Sequence, residues 1–92
     1  MAKFLMLGRY SLEAVKGITP ERTKTIVSAI ESVGGGVESM HALLGYYDLA
    51  FIVDFPGVNE AMKASIAITK SSGISFNTSI ATTVEEFDKI IG

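Results

Sequence analysis

Residues 37–55 read Val-Glu-Ser-Met-His-Ala-Leu-Leu-Gly-Tyr-Tyr-Asp-Leu-Ala-Phe-Ile-Val-Asp-Phe. Two apolar runs, Val37 to Leu44 and Leu49 to Phe55, flank the four residues Gly45-Tyr46-Tyr47-Asp48. Runs this short suit strands rather than helices, and a four-residue connection between them predicts a β-hairpin. Pro56-Gly57 ends the second of these strands.

Helices are predicted on both sides of the hairpin. Upstream, Thr19 suits an N-cap, Pro20 the first helical position and Glu21 the positive end of the helix dipole. Ile26, Val27, Ile30 and Val33 recur at helical spacing, and Gly34-Gly35-Gly36 stops the helix. Downstream, a helix is expected from about Val58 to Ser72, with Ala61, Met62, Ser65, Ile68 and Thr69 on its inner face and Gly73 as its cap. Lys3 to Tyr10 and the alternating stretch Ile74 to Thr82 complete the strands, and Ser11 to Gly17 connects with about one helical turn. Thr83 caps a short terminal helix through Ile90. The order β-α-β-β-α-β predicts an α+β, ferredoxin-like sandwich with a four-stranded antiparallel sheet, strand order 4-1-3-2, as a single domain over residues 1–92.

Strand alternation separates the two faces of the sheet. Phe4, Met6 and Tyr10, with Leu49, Phe51, Val53 and Phe55 and with Ile74, Phe76 and Ile80, are assigned to the helix face. The other face carries Leu5, Leu7, Ala50, Ile52 and Ala81, with Lys3, Arg9, Asp48, Asp54, Ser75, Asn77 and Ser79 around them. So apolar a centre calls for cover, and the same face of a second copy is the simplest cover. Two sheets packed in this way make a homodimer or, with strand exchange at the edges, a barrel. A parity shift on one strand, or cover from the terminal helix, would remove the need.

Composition excludes several classes of function. The 92 residues are 48% hydrophobic and 20% charged, a globular balance. Eight Lys and Arg against ten Asp and Glu leave a formal charge of −2, which argues against nucleic acid as a partner. The absence of Cys excludes disulfides, thiolate metal sites and Cys nucleophiles. No metal or other cofactor is expected, because one His and scattered carboxylates lack ligand spacing. The apolar run Phe4–Leu7 is too short for a signal peptide or a membrane span, so a cytoplasmic protein without a membrane partner is the expectation. The triple glycine is not a phosphate loop, since no Gly-Lys-Ser/Thr follows it. RNA binding on the open face would need exposed aromatics beside basic residues there, and the strand parities supply none.

The chain resembles the GYD domain family, small bacterial and archaeal proteins of the dimeric α/β-barrel, ferredoxin-like type. The resemblance covers nearly all of the chain. It is carried by Gly8-Arg9-Tyr10-Ser11 with Leu12-Glu13-Ala14-Val15-Lys16-Gly17-Ile18, by Gly34-Gly35-Gly36-Val37-Glu38-Ser39, and by Thr83-Val84-Glu85-Glu86-Phe87. In the signature turn Gly45, Tyr47 and Asp48 match and Tyr46 occupies the variable position. The resemblance implies the fold and self-association. It implies no activity, because the family has no firmly assigned one. Relatives at the level of fold include cofactor-free monooxygenases, haem-degrading enzymes and ligand-sensing domains of regulators, and those roles reach this chain by analogy alone.

The antiparallel first and third strands bring Arg9, Tyr10, Tyr46, Tyr47 and Asp48 to one rim of the sheet. An Arg beside phenols and an apolar cavity suits a small apolar or anionic ligand. The structural alternative has Asp48 closing the turn, Arg9 paired with it and the Tyr rings covering the core edge. His41, on the parity of Val37, Ser39 and Leu43, is the general-base candidate and needs an orienting partner such as Asp48 or Glu38 of a facing chain. Met6, Met40 and Met62 read as gap-filling core. A self-associating small-molecule-binding protein with its ligand near the Gly45–Asp48 turn is the leading expectation. A cofactor-independent oxygenase or isomerase using the same pocket, and a purely structural assembly module, are the alternatives. Whether the protein is an enzyme is undecided at this level. A pocket of roughly 300 Å³ or more holding His41 or Tyr10 would favour binding or catalysis, and a filled interior would favour assembly.

Overall fold

A computed structural model describes all of residues 1–92. The elements run β1 (Ala2–Tyr10), α1 (Leu12–Lys16), α2 (Pro20–Ser32), β2 (Gly36–Ala42), β3 (Leu49–Phe55), α3 (Val58–Ser72), β4 (Ile74–Ala81) and α4 (Val84–Ile91). The four strands form one antiparallel sheet in the order β2-β3-β1-β4, the ferredoxin-like arrangement expected from the hairpin and its flanking helices. The connection after β1 holds the five-residue α1, and β2 ends at Ala42, two residues before the apolar run does.

Side-chain caps set the helix starts. Ser11, Thr19 and Thr83 each accept a hydrogen bond from a backbone N–H in the first turn of the helix that follows, satisfying donors the helix cannot. Gly73 closes α3 at φ 76°, a left-handed conformation that any side chain would strain.

The core lies between the sheet and the pair α2 and α3. From the sheet come Phe4, Met6, Phe51, Val53, Phe55 and Ile74, all buried. Phe4 and Phe55 meet edge to face with ring centroids 5.6 Å apart. Ile26 and Ile30 of α2 and Ile68 of α3 close over them, and the small Ala61 and Ala64 let α3 approach the strands closely. Met62, expected in that interface, is 56% exposed; it sits on the outer side of α3, and Ala64 takes the inward place.

Pairing confirms the two faces on β1, β3 and β4. Phe4 lies between Val53 and Ile80, and Leu5 between Ile52 and Ser79. The open face carries Leu5, Leu7, Ala50 and Ile52 at its centre, all partly exposed, and no helix packs over it. On β2 the parity breaks. A bulge between Val37 and Ser39 pairs Val37 with Val53 and Met40 with Phe51 on the helix face, and His41 with Ala50 on the open face. The shared parity of His41 and Val37 expected from sequence is therefore wrong by one residue.

At the edge of that bulge Lys3 contacts two carboxylates, Glu38 at 2.5 Å and Asp54 at 3.3 Å. The hydrogen bond to Glu38, followed by the bond and charge of Asp54, holds the Lys3 ammonium above the usual lysine range.

Candidate functional site

At the opposite end of the sheet β1 narrows at Gly8, between Leu49 of β3 and Phe76 of β4. A Cβ there would lie 2.9 Å from the Phe76 ring and 3.2 Å from Ile74, so only glycine lets those side chains close over the strand. The next residues of β1 point to opposite faces, Arg9 to the open side and Tyr10 to the helix side.

Asp48 ties this end together. Its backbone N–H donates to the Gly8 carbonyl at 2.8 Å, and its own carbonyl accepts from Leu43 N–H at 2.8 Å. Its carboxylate accepts the backbone N–H of Tyr10 at 2.7 Å. Strand β3 begins only at Leu49, so no strand carbonyl remains for that donor and the aspartate replaces one.

Arg9 does not pair with Asp48, contrary to the sequence expectation. Its guanidinium lies 4.3 Å from the Tyr46 ring centroid and donates to the Tyr46 hydroxyl at 3.2 Å. Tyr47 packs edge-on against Tyr46 at 5.0 Å and its hydroxyl accepts from Asn77 Nδ2 at 3.4 Å. Since Arg9 and Asn77 belong to the open face, these two tyrosines stand at its rim, and that face carries aromatics that strand parity did not reveal. Ion pairing within the chain involves Lys3 and Lys89 and leaves Arg9 without a carboxylate.

On the other side of the sheet a cavity of about 190 Å³ opens between α2 and strands β1, β2 and β3. Ile26, Met40, Leu49, Phe51 and Ile74 form much of its apolar wall, while Tyr10 and Arg22 supply polar groups. The Arg22 guanidinium lies 5.3 Å from the Tyr10 ring centroid and donates through one nitrogen to the Ala14 carbonyl, leaving further N–H donors. The backbone N–H of Arg22 caps onto Thr19 at 3.1 Å, which anchors the first turn of α2 beside the cavity. His41 borders the cavity from the exposed edge strand. Within the chain His41 makes no side-chain hydrogen bond, and Asp48, one expected partner, is bonded to Tyr10 instead. No three His, Asp or Glu side chains converge as a metal site would require, and no helix is long and apolar enough to cross a membrane.

The sheet thus divides the six residues singled out from sequence. Tyr10 lines the helix-side cavity; His41 borders it from edge strand β2, while its register with Ala50 puts its side chain on the open face; Arg9, Tyr46 and Tyr47 form the open-face rim; and Asp48 braces the turn end. The GYD domain profile matches residues 4–91, which takes in the turn, the rim and the cavity. The chain belongs to the GYD domain family. Among solved structures this GYD domain is similar to the leucine response regulatory protein of Mycobacterium tuberculosis, with a TM-score of 0.58 and 11% identity over 89% of the chain. It spans about half of that regulator, 51% of its length, and at this identity the likeness is one of fold. No match was found among curated proteins.

Arg22 is the cavity residue that sequence reading missed. The helix-start pattern Thr19-Pro20-Glu21 placed it in the first turn of α2. The fold of Ser11 to Ile18, which brings that turn over Tyr10, left no periodic signal.

Proposed function

We propose that this GYD protein self-associates through its open sheet face and binds a small apolar or anionic molecule in the cavity beside the Gly45–Asp48 turn. The observation that carries the reading is an open cleft with an apolar wall, bordered by a guanidinium and a phenol. A dry apolar cavity of about 150 Å³ admits benzene, so the 190 Å³ here suits a ring or branched hydrocarbon of that size. It falls short of the roughly 300 Å³ of a drug-sized site, which restricts the ligand to a few heavy atoms. A carboxylate on such a group would meet Arg22 while the hydrocarbon meets Phe51 and Leu49. Dimerisation would cover Leu5, Leu7, Ala50 and Ile52 and leave the cavity open, because the two lie on opposite sides of the sheet.

A second reading places an anion at the open-face rim, favoured by Arg9 having the Tyr46 phenol against it and no carboxylate. Titration of the labelled protein with benzoate, followed by amide NMR, tests both. The cavity reading predicts millimolar binding, with shifts at Tyr10, Arg22 and Ala42, weakened by Arg22→Met and unaffected by Arg9→Met. The reverse dependence transfers the site to the rim. Absence of shifts at saturating benzoate overturns both positions.

A further inference from the structure

The terminal helix α4 has no buried residue. Its apolar side chains lie in the water: Val84 is 75% exposed, Phe87 52%, Ile90 75% and Ile91 71%. Val84, Phe87 and Ile91 recur at three- and four-residue spacing and so share one stripe. The helix stands off the body. The radius of gyration is 13.6 Å where a compact chain of this length would have about 12 Å, and the molecule is 48 Å long. Eight residues are too few to hold a helix in water without tertiary packing.

A matching surface lies elsewhere on the same chain. Val58, Met62 and Ile66 form an exposed ridge along the outer side of α3, four residues apart. Between that ridge and the edge strand β4 runs a groove of about 250 Å³ floored by Phe4, Phe76 and Thr78. The ridge spans eight residue steps of helix, about 12 Å, the same length as α4. Charge agrees with the fit. α4 carries Glu85, Glu86 and Asp88 against one Lys89, whereas α3 presents Lys63 and Lys70 against one Glu60.

We propose that α4 docks in the α3–β4 groove of a second copy of this chain, and that the second copy returns the contact. Ridge and stripe are separate features of one sequence, so a two-fold pair satisfies both at once and exposes neither. The groove is on the helix side, which makes this interface distinct from the open sheet face. An anionic lipid surface is the weaker partner, since the polar side of α4 is acidic where such surfaces recruit Lys and Arg.

The chain has no Cys, so single cysteines report contacts without background. Met62→Cys and Phe87→Cys chains are mixed and oxidised, with Glu31→Cys replacing Met62→Cys in a control mixture. Each mixture can form a mixed disulfide only between two chains. The proposal expects the 62–87 link to form at least about tenfold faster than the control, and Ile91→Glu on the Phe87→Cys chain to abolish the excess. A link that forms only within a Met62→Cys/Phe87→Cys chain, or equal rates in both mixtures, overturns it. So does sedimentation of the natural sequence with phosphatidylglycerol vesicles that Ile91→Glu abolishes. All of these positions are exposed, and circular dichroism of each variant verifies its fold.

Discussion

At the scale of single residues the site turns on one carboxylate. Asp48 gives the backbone N–H of Tyr10 an acceptor that β3 cannot provide, and this holds Tyr10 over the cavity. Asp48→Ala should cost about 1–2 kcal/mol in urea unfolding, with Asp48→Asn costing less because it keeps an acceptor. The double-mutant cycle of Asp48 with Arg9 should show coupling near zero, whereas Arg9 with Tyr46 should couple by about 0.5–1 kcal/mol. Coupling in the first cycle and none in the second would restore the ion pair that sequence suggested. Strand order alone brought Arg9, Tyr10 and Asp48 to one end of the sheet. Which donor the carboxylate takes depends on β3 starting at Leu49 rather than Asp48, a one-residue boundary that composition does not determine.

At the scale of elements, the hairpin, both long helices and the terminal helix were legible because each has its own punctuation: Thr19-Pro20, Gly34-Gly35-Gly36, Pro56-Gly57, Gly73 and Thr83. The bulge in β2 was not. Val37-Glu38-Ser39 contains no Gly or Pro, and its extra residue is revealed only by the pairing with β3, so His41 was given the parity of Val37 when the bulge sets the two on opposite faces. Lys3 staples that irregular edge to β1 and β3. Its folded-state pKa is raised, so its contribution is complete below the unfolded lysine value and is lost as pH rises through the folded one. The stability difference between the natural sequence and Lys3→Met should therefore be constant through neutral pH and shrink in the alkaline range. A difference that instead grows with rising pH would contradict the staple. Arg22 shows the same limit of sequence reading: helix chemistry located it in α2, and only the path of α1 carries it over Tyr10.

At the scale of the whole molecule, one sheet separates two environments. The helix side holds the core and the small cavity; the open side holds Leu5, Leu7, Ala50 and Ile52 with no cover, bounded by the Lys3 cluster at one end and the Arg9–Tyr46–Tyr47 rim at the other. Alternation on β1 and β3 revealed that division from sequence, since both strands are regular and centrally placed. The projection of α4 was less legible, because a short amphipathic helix reads the same whether it packs on its own body or on another. Assembly through the open face is the central claim, and the mass of the protein in solution tests it most directly. Native mass spectrometry of the natural sequence should give a dimer or larger species, and Leu7→Asp, a charge placed on that face, should give a smaller species than the natural sequence while circular dichroism stays unchanged. A natural chain that is monomeric at every concentration, or a Leu7→Asp chain that assembles as well as the natural one, would contradict the account.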